Sequence, residues 1–246
     1  GTRDSELQPV QQAFDSKTSS VSFHQLFATN IMRIQLQNSP FNKKLIKLVL
    51  TLLGTDDVKR HPPSRQNEEM FNLQWRFVRE TGQHHPILQR SSAFQRLVQL
   101  SIAAACVYLE ALLDPGNWTE YCRERSYMNR DRGDAPMKSS FWATALRNDQ
   151  VHRIHHHKGA VLSGVYYAQM PQGSGRIGFT DPRGPYPPQL FESVFETLPG
   201  EGVMLLWPSW LQHEVTPTMS EAYRLSFAFN IALSDFQGMG SWLLTA

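Results

Sequence analysis

The spacing of apolar positions changes about halfway along the chain. Between residues 41 and 53, FNKKLIKLVLTLL sets Leu45, Leu48, Val49 and Leu52 at intervals of three and four, which predicts an amphipathic helix. A second helix is predicted from about Ser92 to Leu113. Phe94, Leu97, Val98, Ser101 and Ala105 form its packing face, and Asp114-Pro115-Gly116 ends it. Ahead of these, VSFHQLFATNIMRIQL (21–36) mixes β-branched and aromatic residues and predicts a strand or two. Residues 55–69 are polar, with two prolines, and read as a loop. From about Ser139 the period shortens. SSFWATALR, AVLSGVYYAQ, GRIGFTD, EGVMLLWP and RLSFAFNIAL are strand candidates separated by Gly, Pro and polar turns.

Helices first and strands second predict an α+β chain, mainly β. Its C-terminal strands should close into a sandwich or barrel, with the N-terminal helices packed on the outside. No stretch of low apolar content divides the halves, so one domain is expected over 1–246, with support from 1–138, a β core over 139–235 and a tail at 236–246. A hydrophobic share of 41% in 246 residues is enough for a real core and excludes a disordered chain. The net charge of +2, with no concentrated Lys/Arg stripe, gives no sign of a nucleic-acid partner. Two cysteines, Cys106 and Cys122, cannot build a disulfide framework, and no charged-then-apolar leader opens the sequence. A cytoplasmic protein is therefore expected. The sequon at Asn117 would matter only after secretion. The longest apolar run, 101–113, is interrupted by Glu110, so no membrane span is expected.

Histidines introduce the chemistry. In VHRIHHHKGAVLSGVYY (151–167), alternation along an extended segment turns His155 and His157 one way and His156 the other. Taken alone, such a run is more often a set of solvated polar residues. The stretch LPGEGVMLLWPSWLQHEVTP adds His213, about 56 residues past His157 after several strand-sized segments. That order lets three ligands meet on one face of an octahedral ion and leaves three positions open, as in non-haem iron sites. Imidazoles suit iron, copper, nickel or zinc, so the ligands do not fix the metal. In YRLSFAFN, Arg224 and Ser226 share a face of a strand. A guanidinium forks onto a carboxylate, and inside a barrel it needs an anion to offset its desolvation. The plainer alternative is an ion pair at the rim with Glu214 or Glu221.

Taken in order, H-x-H, strand, P-S-W-x-x-H and R-x-S resemble the iron(II)- and 2-oxoglutarate-dependent oxygenases. More narrowly, His155 to Asn230 is similar to an oxygenase family met mostly in phage and bacterial open reading frames, and FHQLFATNIMRI and SSFWATALRN fit more loosely. Lys158 stands where that family often has proline, and Trp207 where it has phenylalanine. The resemblance implies a double-stranded β-helix, the jelly-roll core of cupins, with iron(II) at its mouth and 2-oxoglutarate and O2 as cosubstrates. It implies His155, His157 and His213 as the metal ligands and catalytic centre. Arg224 and Ser226 would bind the distal carboxylate of 2-oxoglutarate. On SGVYY the inward face would be Ser163, Val165 and Tyr167. Tyr167 would either donate to the same carboxylate or simply fill the barrel. The reaction implied is hydroxylation of an unactivated C–H, with release of succinate and CO2. The substrate, a small molecule or a peptide, is not readable.

Most of that superfamily has Asp or Glu where His157 stands. Either three neutral imidazoles hold the ion, leaving the site a charge more positive, or Asp181 in FTDPR supplies a carboxylate. Asp181 and Arg183 are otherwise candidates for substrate contact, or a loop ion pair stiffened by Pro182. The Pro-rich stretch 181–192 reads as a flap, and Trp142, Tyr186, Trp207 and Trp210 as pocket-lining candidates. Two alternatives stand beside the oxygenase: a cupin-like three-histidine dioxygenase that needs no 2-oxoglutarate, and a non-enzymatic metal-binding barrel. Arg224-x-Ser226 argues against the first.

Overall fold

The computed structural model describes residues 29–36, 39–53, 71–72, 90–112, 137–184 and 194–233. Several expectations fall outside them: the strand over 21–28, the loop at 55–69, the helix stop at 114–116, the sequon, Cys122, Tyr186 with most of the proposed flap, and the tail. The elements in chain order are β1 (Met32–Gln35), α1 (Ser39–Leu53), β2 (Phe71–Asn72), α2 (Ser92–Leu112), β3 (Met137–Leu146), β4 (His152–His155), β5 (Leu162–Gln169), β6 (Ile177–Thr180), β7 (Val194–Thr197), β8 (Val203–Pro208), β9 (His213–Val215) and β10 (Arg224–Leu233).

Two sheets form, ordered β1-β8-β5-β10-β3-β2 and β4-β9-β6-β7. From β3 onward the chain changes sheet at nearly every step, placing β3, β5, β8 and β10 in the larger and β4, β6, β7 and β9 in the smaller. Each pair of neighbouring strands is antiparallel. This is a double-stranded β-helix, mainly β, with two helices among the described residues. The strand β7 was not legible in FESVFETLP, because its outer position on β6 leaves Phe195 59% exposed and breaks the alternation expected of a half-buried strand.

Alternation along the larger sheet separates two cores. Leu162, Tyr166 and Ala168 of β5, with Leu225, Phe227, Phe229 and Ile231 of β10, join the buried faces of both helices. The helices supply Leu45, Val49, Phe94, Leu97 and Ala105, matching the spacing in the sequence. Val165 and Tyr167 face the other way and pack with Ile177, Phe179, Leu205 and Trp207 between the sheets. Ser101, buried within α2, donates its hydroxyl to Leu97 O at 2.8 Å, so the polar group is satisfied in place. Counted from Ser92 rather than residue 101, α2 has a stretch to Leu109 long and apolar enough to cross a membrane, and half of that stretch is buried inside the fold.

Gly164, in the centre of β5, lies opposite Phe229. A Cβ there would come within 2.3 Å of the Phe229 ring and 2.8 Å of Leu205 O. The Phe229 ring also stacks on Phe141 at 5.2 Å, so it has little room to yield. Gly164→Ala is expected to lower stability by about 1–3 kcal/mol through overpacking, measured as a fall in urea midpoint at constant slope.

Candidate metal centre

Strand β4 pairs with β9, matching His152 with Val215 and His155 with His213. Three steps along β4 therefore oppose two along β9, the mark of a β-bulge carrying one extra residue. Arg153 and Ile154 both turn to solvent, Ile154 with 51% of its surface exposed. His152 and His155 lie opposite inward-facing, buried partners. Beyond β4, the His157 N–H donates to Ser209 O at 3.0 Å, and the Ser209 N–H donates to Val161 O at 3.1 Å. The Ser209 hydroxyl donates to Ala160 O. Ser209, in the Pro-Ser-Trp turn after β8, thus ties the histidine segment to the start of β5. His156 is exposed.

His155, His157 and His213 each offer a ring nitrogen within 4.8 Å of the other two. His155 Nδ1 lies 2.7 Å from Arg153 O, and His213 Nδ1 lies 3.0 Å from Leu211 O. A carbonyl only accepts, so each Nδ1 carries the proton and each Nε2 keeps a free lone pair. Burial, reinforced by the neighbouring rings, pushes His213 down to about 3 and His157 to about 4. Burial also lowers His155. The three rings are neutral at pH 7 and fit a cation. Aromatic side chains wall them in: Trp207 meets His213 at 4.8 Å and Phe179 at 5.1 Å, and Trp142 meets His157 at 5.3 Å.

Asp181 lies outside this group. Its carboxylate takes Arg183 Nη2 at 2.5 Å and Nε at 2.9 Å, with the Arg183 backbone N–H at 3.0 Å. The guanidinium holds the Asp181 carboxyl down at about 2. The structure therefore gives the loop ion pair rather than a fourth converging group.

Deeper in the interior, Arg224 is 2% exposed and no described carboxylate reaches it, so the rim pair with Glu214 or Glu221 does not form. Its Nη1 lies 3.4 Å from Ser226 Oγ and its Cζ lies 5.0 Å from the Tyr167 ring centre. Burial pushes the Tyr167 phenol up to about 12, against the pull of the Arg224 charge, so it stays a protonated donor. Among the described residues, the buried side-chain polar atoms without a partner are Arg224 Nε, Tyr167 Oη, Trp142 Nε1 and Trp207 Nε1. All are donors. Each unmet donor costs about 1–3 kcal/mol, and a cationic one more, so a bound anion fits this interior.

Ser163 is not brought to Arg224. It pairs across β10 with Asn230 and donates to Asn230 Oδ1 at 2.9 Å, while Tyr167 pairs with Ser226. Trp210 is 52% exposed rather than pocket-lining. One residue escaped the sequence reading. The His152 ring stacks on His155 with centres 4.1 Å apart and planes 23° apart. Strict alternation places positions three apart on opposite faces, and only the bulge brings both inward.

Residues 140–230 match a family model described as "Putative 2OG-Fe(II) oxygenase". No curated protein matches the chain. Among solved structures, it is similar to HygX from Streptomyces hygroscopicus with nickel and 2-oxoglutarate bound, at 12% identity and TM-score 0.48 over 84% of this chain and 83% of that one. It is similar to a Trichoplax adhaerens prolyl hydroxylase in complex with a hypoxia inducible factor peptide fragment, at 14% identity and TM-score 0.47 over 85% and 86%. It also resembles a 2OG-Fe(II) oxygenase family oxidoreductase from Burkholderia pseudomallei, at 13% identity and TM-score 0.31, covering 39% of this chain but only 45% of that one.

Arg183→Ala should free Asp181. The carboxyl midpoint is expected to rise from about 2 toward the ordinary carboxylate value of about 4, followed by carboxyl carbon shifts in an NMR titration. An unmoved midpoint would show that the guanidinium does not hold it.

Proposed function

We propose, from the match of residues 140–230 to the 2OG-Fe(II) oxygenase family model, that the chain is an iron(II)- and 2-oxoglutarate-dependent oxygenase hydroxylating an unactivated C–H bond of a small molecule or peptide. The observation that supports this most is the pairing of two opposite needs inside one barrel. Three neutral imidazoles converge within 4.8 Å, and a buried guanidinium without a counter-ion lies farther in. A metal ion answers the first and a dicarboxylate the second. The unpaired Arg224 also favours this reading over a three-histidine dioxygenase that uses no keto acid.

His155, His157 and His213 would hold iron(II) through Nε2 atoms freed, at two of the rings, by the Nδ1 bonds to Arg153 O and Leu211 O. When bound, iron with 2-oxoglutarate and O2 supplies the oxidising power for the C–H bond, releasing succinate and CO2. The chain's own part is orientation. Arg224 would fork onto the distal carboxylate of 2-oxoglutarate, with the Ser226 hydroxyl beside it. Tyr167, protonated throughout the physiological range, would donate its unmet hydroxyl to the same group. Trp207, Phe179 and Trp142 would keep water from the reacting centre. Three imidazoles bring no negative charge to the ion, so an anionic cosubstrate would be drawn more strongly than to a site with a carboxylate ligand.

Anaerobic titration with ferrous salt and then 2-oxoglutarate tests this reading. A weak visible charge-transfer band should appear only when both are present, and succinate should form on admitting oxygen. Absence of the band in protein that binds the metal would sink it. His213→Ala should abolish metal binding. Arg224→Met should keep it while weakening 2-oxoglutarate about 100-fold or more, since hydrogen bonds to a charged group contribute roughly 1.5–3 kcal/mol each.

A further inference from the structure

His152 has no part in the three-ligand site, yet everything about its position is costly unless it has a task. Its strand position should face solvent, and one extra residue in β4 turns it inward instead. There it lies opposite Val215, which is 8% exposed, with its ring nearly parallel to that of His155 at 4.1 Å. It also lies at the Arg224 end of the interior: β3 ends at Leu146, the partner of Arg224, and the chain re-enters the fold as β4 at His152. A phenyl ring would stack on His155 as well and would be cheaper to bury, so the stack alone does not account for an imidazole.

We infer that His152 is a cosubstrate-binding residue: its inward imidazole, anchored on the His155 ring face, donates an N–H to a carboxylate oxygen of the 2-oxoglutarate held between the histidine cluster and Arg224. This rests on the oxygenase reading and extends it, since the resemblance in the sequence carries no role for this position. A neutral imidazole suits the task because it offers one donor to an anion without adding a second full charge beside the metal. The bulge gives the position its meaning, since an ordinary strand would point this side chain away.

The test uses the full chain and separates metal from cosubstrate binding. Cobalt(II) binding is followed by its visible absorption, and 2-oxoglutarate is then titrated into the cobalt-loaded protein. His152→Phe keeps a flat ring for the stack but removes the donor; His152→Gln keeps a donor but removes the ring. His152→Phe should bind cobalt within about twofold of the parent and lose 2-oxoglutarate affinity about tenfold or more, as expected for a hydrogen bond to a charged acceptor. His152→Gln should recover part of that loss. If His152→Phe binds 2-oxoglutarate like the parent, or if it loses cobalt and 2-oxoglutarate together, His152 serves only to shape the His155 ring and the inference falls while the oxygenase reading stands. Should His152→Phe fail to fold, His152→Gln decides alone: affinity within about threefold of the parent supports the donor role, and a loss as deep as that of His152→Ala overturns it. A parent protein that binds cobalt but not 2-oxoglutarate overturns both readings at once.

Discussion

A guanidinium enclosed by a β-sandwich without a carboxylate beside it is a demanding thing to build. Arg224 is 2% exposed, and its near neighbours are a hydroxyl and a phenol, neither of which carries charge. Removing a full charge from water costs several kcal/mol even after the surroundings relax. Folding can tolerate that only if hydrophobic burial elsewhere is ample, and the two cores on either side of the larger sheet supply it. The chain gives up stability at this point and holds a fixed positive charge in a dry place.

The histidine end of the interior obeys the opposite logic. Its histidines are kept neutral by burial and by one another, so their lone pairs are available without losing a proton first. Two of them are fixed by bonds to carbonyls two residues back, a local arrangement that a strand end supplies at no extra cost. The third is located through its backbone, by Ser209. The three histidines thus come from two segments of the chain, and what unites them is the pairing of β4 with β9.

Much of this was legible from spacing alone. The helices at 39–53 and 92–112 followed from intervals of three and four, and five strands of the larger and smaller sheets from short apolar runs between Gly and Pro. His155 and His157 followed from alternation, and Arg224 and Ser226 likewise. What failed to show was whatever depended on breaking the period. β7 is a sheet-edge strand with an exposed Phe195, and so lacks the buried face that marks a strand. His152 is inward because of one extra residue whose presence only the partner strand reveals. Asp181 and Arg183 could not be divided between substrate contact and mutual pairing, because two residues apart in a turn they suit both; the pairing is what forms.

The bulge in β4 also changes what the chain can tolerate over generations. In an unbroken strand, losing or gaining one residue reverses every side chain beyond it, and a ligand set would not survive. Here Arg153 and Ile154 sit together on the solvent side as a loop of slack. Deleting either would leave His155 and His213 in register and keep position 152 inward opposite Val215, now two places before His155 as regular alternation requires. Related chains can therefore differ by one residue at this spot and still keep the three histidines together, so an alignment that assumes a constant spacing ahead of the first histidine will match the wrong neighbours.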